Sequence, residues 1–275
     1  MTDWSSCDRR FLAEVEPVVE ELSEIVSADQ ILLVGARCRD LLSWSFGCDA
    51  PRRSTNDTDV AVALQDWNQF ARVRDKFAPT GHTGHRFLIA GIPTDVVPFG
   101  GVEGPPGISS RPPGNESLNV HGFSDAYERA DALPLSEGVH IRIPRPEGYA
   151  TLKSHAWLDR SIRNEYRDGP DFALAVYWYS EDIDRLYAEE NLWAIDLHDF
   201  DLRLAAAALL ARDMRNGLSS DEQAVLMTRF NGADRDLLAR NFGAGAPGWP
   251  SKPRDRRLIV DALLDQFATD HVQQA

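Results

Sequence analysis

Asp57 and Asp59 stand two residues apart in Ser54-Thr55-Asn56-Asp57-Thr58-Asp59-Val60-Ala61-Val62, a stretch that reads as a loop running into a strand. Side chains alternate across a strand, so the two carboxylates project from one face, while Val60 and Val62, in the opposite phase, supply the apolar one. Adjacent carboxylates repel each other and lose solvation, an unfavourable arrangement unless a cation sits between them. The chemistry implied is a divalent-metal site at a strand end. An Asp-x-Asp pair alone is common by chance, so the neighbouring elements decide how much it means.

Three elements bear on it. Ile31-Leu32-Leu33-Val34 is a short continuous apolar run that suits a buried strand, and it ends at Gly35, where Ala36-Arg37-Cys38-Arg39-Asp40-Leu41-Leu42 looks like the first turns of a helix. Strand, glycine and helix start let backbone amides approach an anion that the helix dipole also favours. A lone glycine there, taken by itself, reads as a packing turn. Further on, Arg86–Ala90 and Thr94–Phe99 flank Gly91-Ile92-Pro93 and predict a hairpin, with Asp95 near the start of its second strand. An isolated aspartate among apolar neighbours costs free energy unless it is paired or ligated, although a turn aspartate is the plainer reading.

The remaining elements frame these. Phe11 to Val26 carries apolar residues at helical spacing, Trp67–Phe77 reads as a helix capped by Asp66, and Ser124–Asp131 as a short one. Gly100 to Asn119 holds four prolines and five glycines and predicts an irregular loop or lid. Val139–Ile143 is a further strand, and Pro144 and Pro146 mark a break. Helices then dominate: Glu147–Leu158, which Ser161–Tyr166 could continue, Asp171–Tyr179, Glu181–Glu189, Leu202–Arg215, Asp221–Phe230 with Ser220 as cap, and Arg257–Phe267. The expected architecture is α/β (α+β), a mixed sheet flanked by helices over residues 1–143, followed by an all-α C-terminal domain over 144–275.

The 275 residues, 43% hydrophobic and 26% charged, are those of an ordinary globular chain with a real core. No apolar run approaches the ~20 residues of a membrane span, and the N-terminus lacks a signal-peptide pattern. The cysteines Cys7, Cys38 and Cys48 are scattered, odd in number and without metal-ligand spacing, which suits free thiols in the cytoplasm. A formal charge of −14 argues against a protein that coats nucleic acid, though not against one with a local basic groove. Arg160–Arg167 and Lys252–Arg257 gather basic residues, and both suit solvated helix faces. Asp159 and Asp168 read as surface ion-pair partners, His82, His85, His121, His140 and His155 as structural or surface groups, and Trp157, Trp178 and Trp193 as helix-packing residues.

The order of these features resembles the polymerase-β-type nucleotidyltransferase superfamily, and more closely the AbiEii/AbiGii and MenT type of nucleotidyltransferase toxins. The resemblance is carried by Val34-Gly35-Ala36-Arg37 with Arg39-Asp40, by Thr55 to Val62 and Trp67, by Thr94-Asp95-Val96-Val97-Pro98-Phe99-Gly100, by Gly122-Phe123, by Leu152-Lys153 with Ala156-Trp157 and Asp159-Arg160, and by Arg167-Asp168 with Asp171. It covers about Ile31 to Tyr187. It implies that Asp57 and Asp59 hold two magnesium ions, that Asp95 completes the triad and helps activate an incoming hydroxyl, and that Gly35 and Ala36 face the triphosphate of an NTP. It also implies that Lys153 contacts nucleotide phosphates, that Asp171 is a later helix carboxylate, and that the helical domain contributes to the active-site cleft. Arg37, where a short polar residue is more usual, suits either phosphate binding or a salt bridge. Two departures concern phosphate affinity: Gly35-Ala36 replaces the usual Gly-Ser, and the interval from Gly35 to Asp57 is long.

The implied reaction moves an NMP from an NTP to an acceptor, with RNA, above all a tRNA 3′ end, as the first expectation and a toxin with a cognate antitoxin protein as its setting. Charge neutralisation and positioning are what such a transfer needs from a protein, and metal ions held by hard oxygens supply both. Other acceptors, a protein side chain or a small molecule of antibiotic type, and a non-catalytic relative that binds a nucleotide or a partner, are the competing expectations. For RNA, Arg52, Arg53, Arg160, Arg163 and Arg167 are the groove residues the sequence offers.

Overall fold

The computed structural model describes residues 4–48, 57–81, 83–110, 117–244, 246 and 248–269. The chain divides into two compact units, Met1–Arg145 and Pro146–Ala275. The first is mixed α/β. Its elements run α1 (Val15–Leu22), β1 (Ile31–Val34), α2 (Gly35–Ser45), β2 (Thr58–Leu64), α3 (Trp67–Lys76), β3 (Ala78–Pro79), β4 (Arg86–Ile89), β5 (Ile92–Gly100), β6 (Ile108–Ser110), β7 (Ser117–Asn119), α4 (Phe123–Glu128), β8 (Asp131–Pro134) and β9 (His140–Ile143). Seven of the strands form one mixed sheet in the order β3-β4-β5-β2-β1-β9-β8. Only the β2/β5 and β1/β9 pairs are parallel.

The apolar run Ile31–Val34 lies near the middle of this sheet, and all four of its residues are buried, as a strand covered on both faces requires. In β2, Thr58, Val60, Val62 and Leu64 are buried, and the intervening Asp59 is half-buried. Helix α1 buries Val15, Val18, Val19 and Leu22, an i, i+3, i+4, i+7 stripe in which each side chain contributes about 1.5–3 kcal/mol of burial. Asp66 caps α3 by accepting from the backbone N–H of Asn68 and Gln69 at 2.8 and 3.1 Å.

Two expectations change here. The β4/β5 turn is Ala90-Gly91, not Gly91 to Pro93: both turn residues have positive φ (49° and 76°), the two-residue geometry that matches strand twist, and Ile92 and Pro93 belong to β5. The Gly/Pro-rich segment from Gly100 contains the antiparallel β6/β7 pair, so it is not wholly irregular. Residues 111–116 of that segment lie outside the described residues.

The second unit is helical: α5 (Pro146–Ser161), α6 (Asp168–Glu181), α7 (Ile183–Leu186), α8 (Leu192–Leu197), α9 (Leu202–Gly217), α10 (Ser220–Asn231), α11 (Arg235–Asn241) and α12 (Pro253–Ala268). The run Ala205–Ala208 in α9 is completely buried, small side chains that let α5, α6, α8 and α12 approach it. An aromatic cluster of Phe172, Phe230, Phe242 and Phe267 packs beside them. The segment Ser161–Tyr166 does not continue α5, because Asn164 is left-handed (φ 61°). The expected Glu181–Glu189 helix is broken into α7 and a 3-10 turn. The cap of α10 is Ser219, not Ser220, accepting from Glu222 N–H at 3.4 Å. Helix α12 begins at Pro253, whose fixed φ suits a first turn. Among the described residues no helix is long and apolar enough to cross a membrane.

Candidate functional site

The strand register brings together most of what the first unit offers for chemistry. Val34 of β1 pairs with Asp59 of β2, Asp59 lies beside Asp95 of β5, and Asp95 is opposite Arg86 of β4. Register neighbours project to the same side of a sheet, so Asp59, Asp95 and Arg86 form a charged row across three adjacent strands. Asp57, one residue before β2, joins them through Arg86. The Arg86 guanidinium donates from Nη2 to Asp57 Oδ2 at 2.8 Å and from Nη1 to Asp95 Oδ2 at 3.5 Å. The Asp95 charge beside it raises the Arg86 pKa above its ordinary value, with the Asp57 hydrogen bond and the Asp57 and Asp59 charges adding to the effect. The side chains remain reachable by solvent, at 34% exposure for Arg86, 27% for Asp57 and 22% for Asp95.

Gly35, the first residue of α2, explains how Asp59 is seated. It has φ 66°, and a Cβ built on it would come within 2.6 Å of the Asp59 Cβ and closer still to its carboxylate. No other residue type leaves that volume to Asp59. The carboxylate therefore rests against the N-terminal end of an 11-residue helix, where negative charge is favoured. The space at Gly35 that the sequence reading offers to a triphosphate is, in this conformation, filled by Asp59.

The other residues expected at this end of α2 are described as follows. Ala36 is the second residue of the helix. Arg37 forms an ion pair with Glu14, the salt-bridge alternative. Arg39 and Asp40 form a buried pair, Nη2 to Oδ1 at 2.7 Å, with side chains only 6% and 10% exposed. Arg52, Arg53 and Ser54 to Asn56 lie outside the described residues.

In the helical unit, Lys153 of α5 and Asp171 of α6 form a buried ion pair at 2.8 Å. Lys153 also reaches Asp168 Oδ1 at 3.3 Å, and Arg160 donates to Asp168 Oδ2 at 2.6 Å. Asp168 is 2% exposed, so the surface ion pair expected of it is a buried one: the first turn of α6 turns both of its carboxylates toward α5. Asp159 pairs with Arg229, which also meets His155 Nδ1 at 2.6 Å. Trp157 is buried and donates to Asn241 Oδ1 at 2.8 Å, and Trp178 is buried against Tyr149, both in packing roles.

Sequence reading missed Arg86. Its signal was the two-residue turn Ala90-Gly91, which fixes the hairpin register and sets Arg86 opposite Asp95.

Carboxylate oxygens are the hard donors that magnesium prefers, and Asp57, Asp59 and Asp95 fit such an ion in donor chemistry and accessibility. In this conformation Arg86 bridges Asp57 and Asp95. Among the described residues no group of three or more His, Cys, Asp or Glu side chains is gathered as a metal-holding set. Comparison with protein-family models, with curated proteins and with solved structures finds no match to this chain.

Proposed function

We propose that the chain is a nucleotidyltransferase that moves an NMP from an NTP to an acceptor hydroxyl. The observation that carries this reading is that Asp59 lies beside Asp95 on parallel strands and against the glycine that opens α2, with Arg86 linking Asp95 to Asp57. Asp57, Asp59 and Asp95 all act on the Arg86 charge, and carboxylates that share a neighbourhood are costly for stability alone, since like charges disfavour one another's ionised form. Retaining them around Arg86 suits a site that handles cations and phosphate. Asp57, Asp59 and Asp95 would hold the magnesium ions, which when bound neutralise triphosphate charge and polarise the reacting oxygens. Asp95 would also accept a hydrogen bond from the acceptor hydroxyl and hold it for attack.

The first acceptor we propose is RNA, at a tRNA 3′ end, with the chain acting as a toxin whose partner is an antitoxin protein; this rests on the motif resemblance. A second reading, transfer to a protein side chain or small molecule, is favoured by charge. The net charge is −14, and Arg160, one of the basic residues expected to meet RNA, is bound to Asp168.

The test incubates the protein with magnesium, each labelled NTP in turn, and total RNA or tRNA. Label on RNA that disappears with Asp59→Ala supports the first reading. Label on the protein itself supports the second. Absence of NTP binding by calorimetry at millimolar magnesium would falsify both.

A further inference from the structure

In the helical unit, the stretch Glu181–Asp201 runs through α7 and α8 to the cap of α9 and is apolar and acidic at once. Among the described residues, five of the nine large hydrophobic side chains left exposed stand within it: Ile183, Tyr187, Leu192, Leu197 and Phe200, the last at 69%. The same stretch holds eight carboxylates against one arginine, Arg185, and so carries half of the chain's net charge of −14. Arg185 is turned inward: its guanidinium lies over the Tyr179 ring at 4.6 Å and pairs with Asp182 and Asp213. Glu181, Asp184, Glu190 and Asp196 are exposed and, among the described residues, form no ion pair with lysine or arginine. The frame beneath them is fixed. Arg212 of α9 donates to Asn191 Oδ1 at 2.8 Å and to Asp213 Oδ1 at 2.9 Å, and Asn191 donates to the Arg185 carbonyl at 2.8 Å.

Phe200 is the informative residue. It and Asp199 both have positive φ (65° and 49°) where the chain reverses between α8 and α9, and the Phe200 N–H donates to the Ile195 carbonyl at 3.0 Å. A bulky residue is rare in that conformation, and glycine would make the turn without strain. The turn instead keeps an aromatic that stands mostly in solvent, and strain retained in this way points to a working position. We propose that this face docks an amphipathic helix of a partner protein whose polar side carries lysines and arginines. Exposed aromatic and leucine side chains supply the apolar anchors of such an interface, and the carboxylates around them select a basic partner. Charge decides among the occupants. A second copy meeting this face across a two-fold axis would set the same carboxylates against one another. Anionic lipid and the phosphates of nucleic acid are repelled likewise. The stretch is also the size of one side of a standard interface, which engages roughly 20–30 residues of each partner. The proposal concerns the helical unit alone and stands apart from the nucleotidyltransferase reading.

The experiment titrates the full chain into a labelled peptide with leucines at helical spacing and lysines between them, and into its counterpart with glutamate for every lysine. Fluorescence anisotropy should show binding of the lysine peptide and none of the glutamate peptide. Phe200→Gly removes the aromatic and relaxes the turn, so it should weaken binding about tenfold while melting at or above the wild-type temperature. Phe200→Tyr should bind as wild type does. Asp196→Asn, which leaves the apolar side chains in place, should weaken binding about twofold at low salt and less at high salt. Equal binding by wild type and Phe200→Gly overturns the proposal, because it leaves bare charge attraction. A Phe200→Gly protein that melts well below wild type overturns it too, because Phe200 then serves the core. No binding of the lysine peptide, or equal binding of both peptides, does the same. A dimer in sedimentation that Phe200→Gly abolishes would give the face to a second copy and overturn the basic partner.

Discussion

Gly35→Ala is the substitution that most directly tests how the carboxylate row is assembled. Two costs are separable. The first is conformational: an alanine at φ 66° sits in the left-handed region, which costs an L-residue roughly 1–2 kcal/mol. The second is steric. The new methyl would lie 2.6 Å from the Asp59 Cβ, and moving a flexible carboxylate tip cannot relieve a clash with the Cβ atom itself. The start of α2 and the end of β2 must separate, an overpacking strain of roughly 1–3 kcal/mol. Gly47 supplies the control, because it has φ 64° and nothing within 4 Å of its built Cβ, so Gly47→Ala carries only the first cost. Urea unfolding of the three proteins, followed by circular dichroism, should place Gly47→Ala about 1–2 kcal/mol below wild type and Gly35→Ala about 1–3 kcal/mol below that. Because the clash displaces Asp59, Mn2+ affinity should fall in Gly35→Ala and stay unchanged in Gly47→Ala. Equal destabilisation of the two variants would refute the placement of Asp59 on Gly35, and with it the account of why glycine stands there.

Two further outcomes are expected. Lys153→Met should destabilise the protein by about 3–5 kcal/mol, because it leaves Asp168 and Asp171 buried with less compensation; the double variant with Asp171→Leu should recover part of that loss in urea unfolding, and a double variant no more stable than Lys153→Met would refute the pairing. Burial, with Asp8 nearby, pushes the Cys7 thiol up to about 11, so folding favours its protonated form. That contribution to stability is complete below pH 9 and is lost as pH rises through about 11; at pH 8, half-buried Cys48 should react with a maleimide well before Cys7, as peptide mapping would show, and the reverse order would contradict the burial of Cys7.

How much of this was legible in the sequence depends on whether the controlling interaction is local. The run Ile31–Val34 could be read because a strand buried on both faces needs four consecutive apolar residues. Asp59 could be placed on a strand because alternation is a property of the strand itself, whereas Asp57 lies one residue before β2. Asp168 could not: its burial depends on α5 presenting Lys153 and Arg160 to the first turn of α6, a tertiary match between residues eight and fifteen positions away. Strand β8 was missed for a similar reason. Asp131-Ala132-Leu133-Pro134 has no strand signature, and it pairs only because β9 offers an edge, while Arg145 reaches back to Asp131 at 3.0 Å. The broken helix after Glu181 follows a local cap, Asp182, that lay in plain view.

Arg86 falls between these cases. Residues paired across a two-residue turn have position numbers with a constant sum, so a turn at Ala90-Gly91 pairs Ile89 with Ile92 and therefore Arg86 with Asp95. Placing the turn one or two residues later slides that partner away and flips the strand face on alternate slips. The difficulty was Ala90, an L-residue at φ 49° where Asn, Asp or Gly is usual, held by its N–H donating to Glu21 Oε2 at 3.1 Å from α1. A long-range hydrogen bond thus permits an unfavoured turn residue, the turn sets the register, and the register delivers Arg86 to Asp95 and Asp57. Glu21 thus acts on the Asp95 row through the hairpin that carries Arg86.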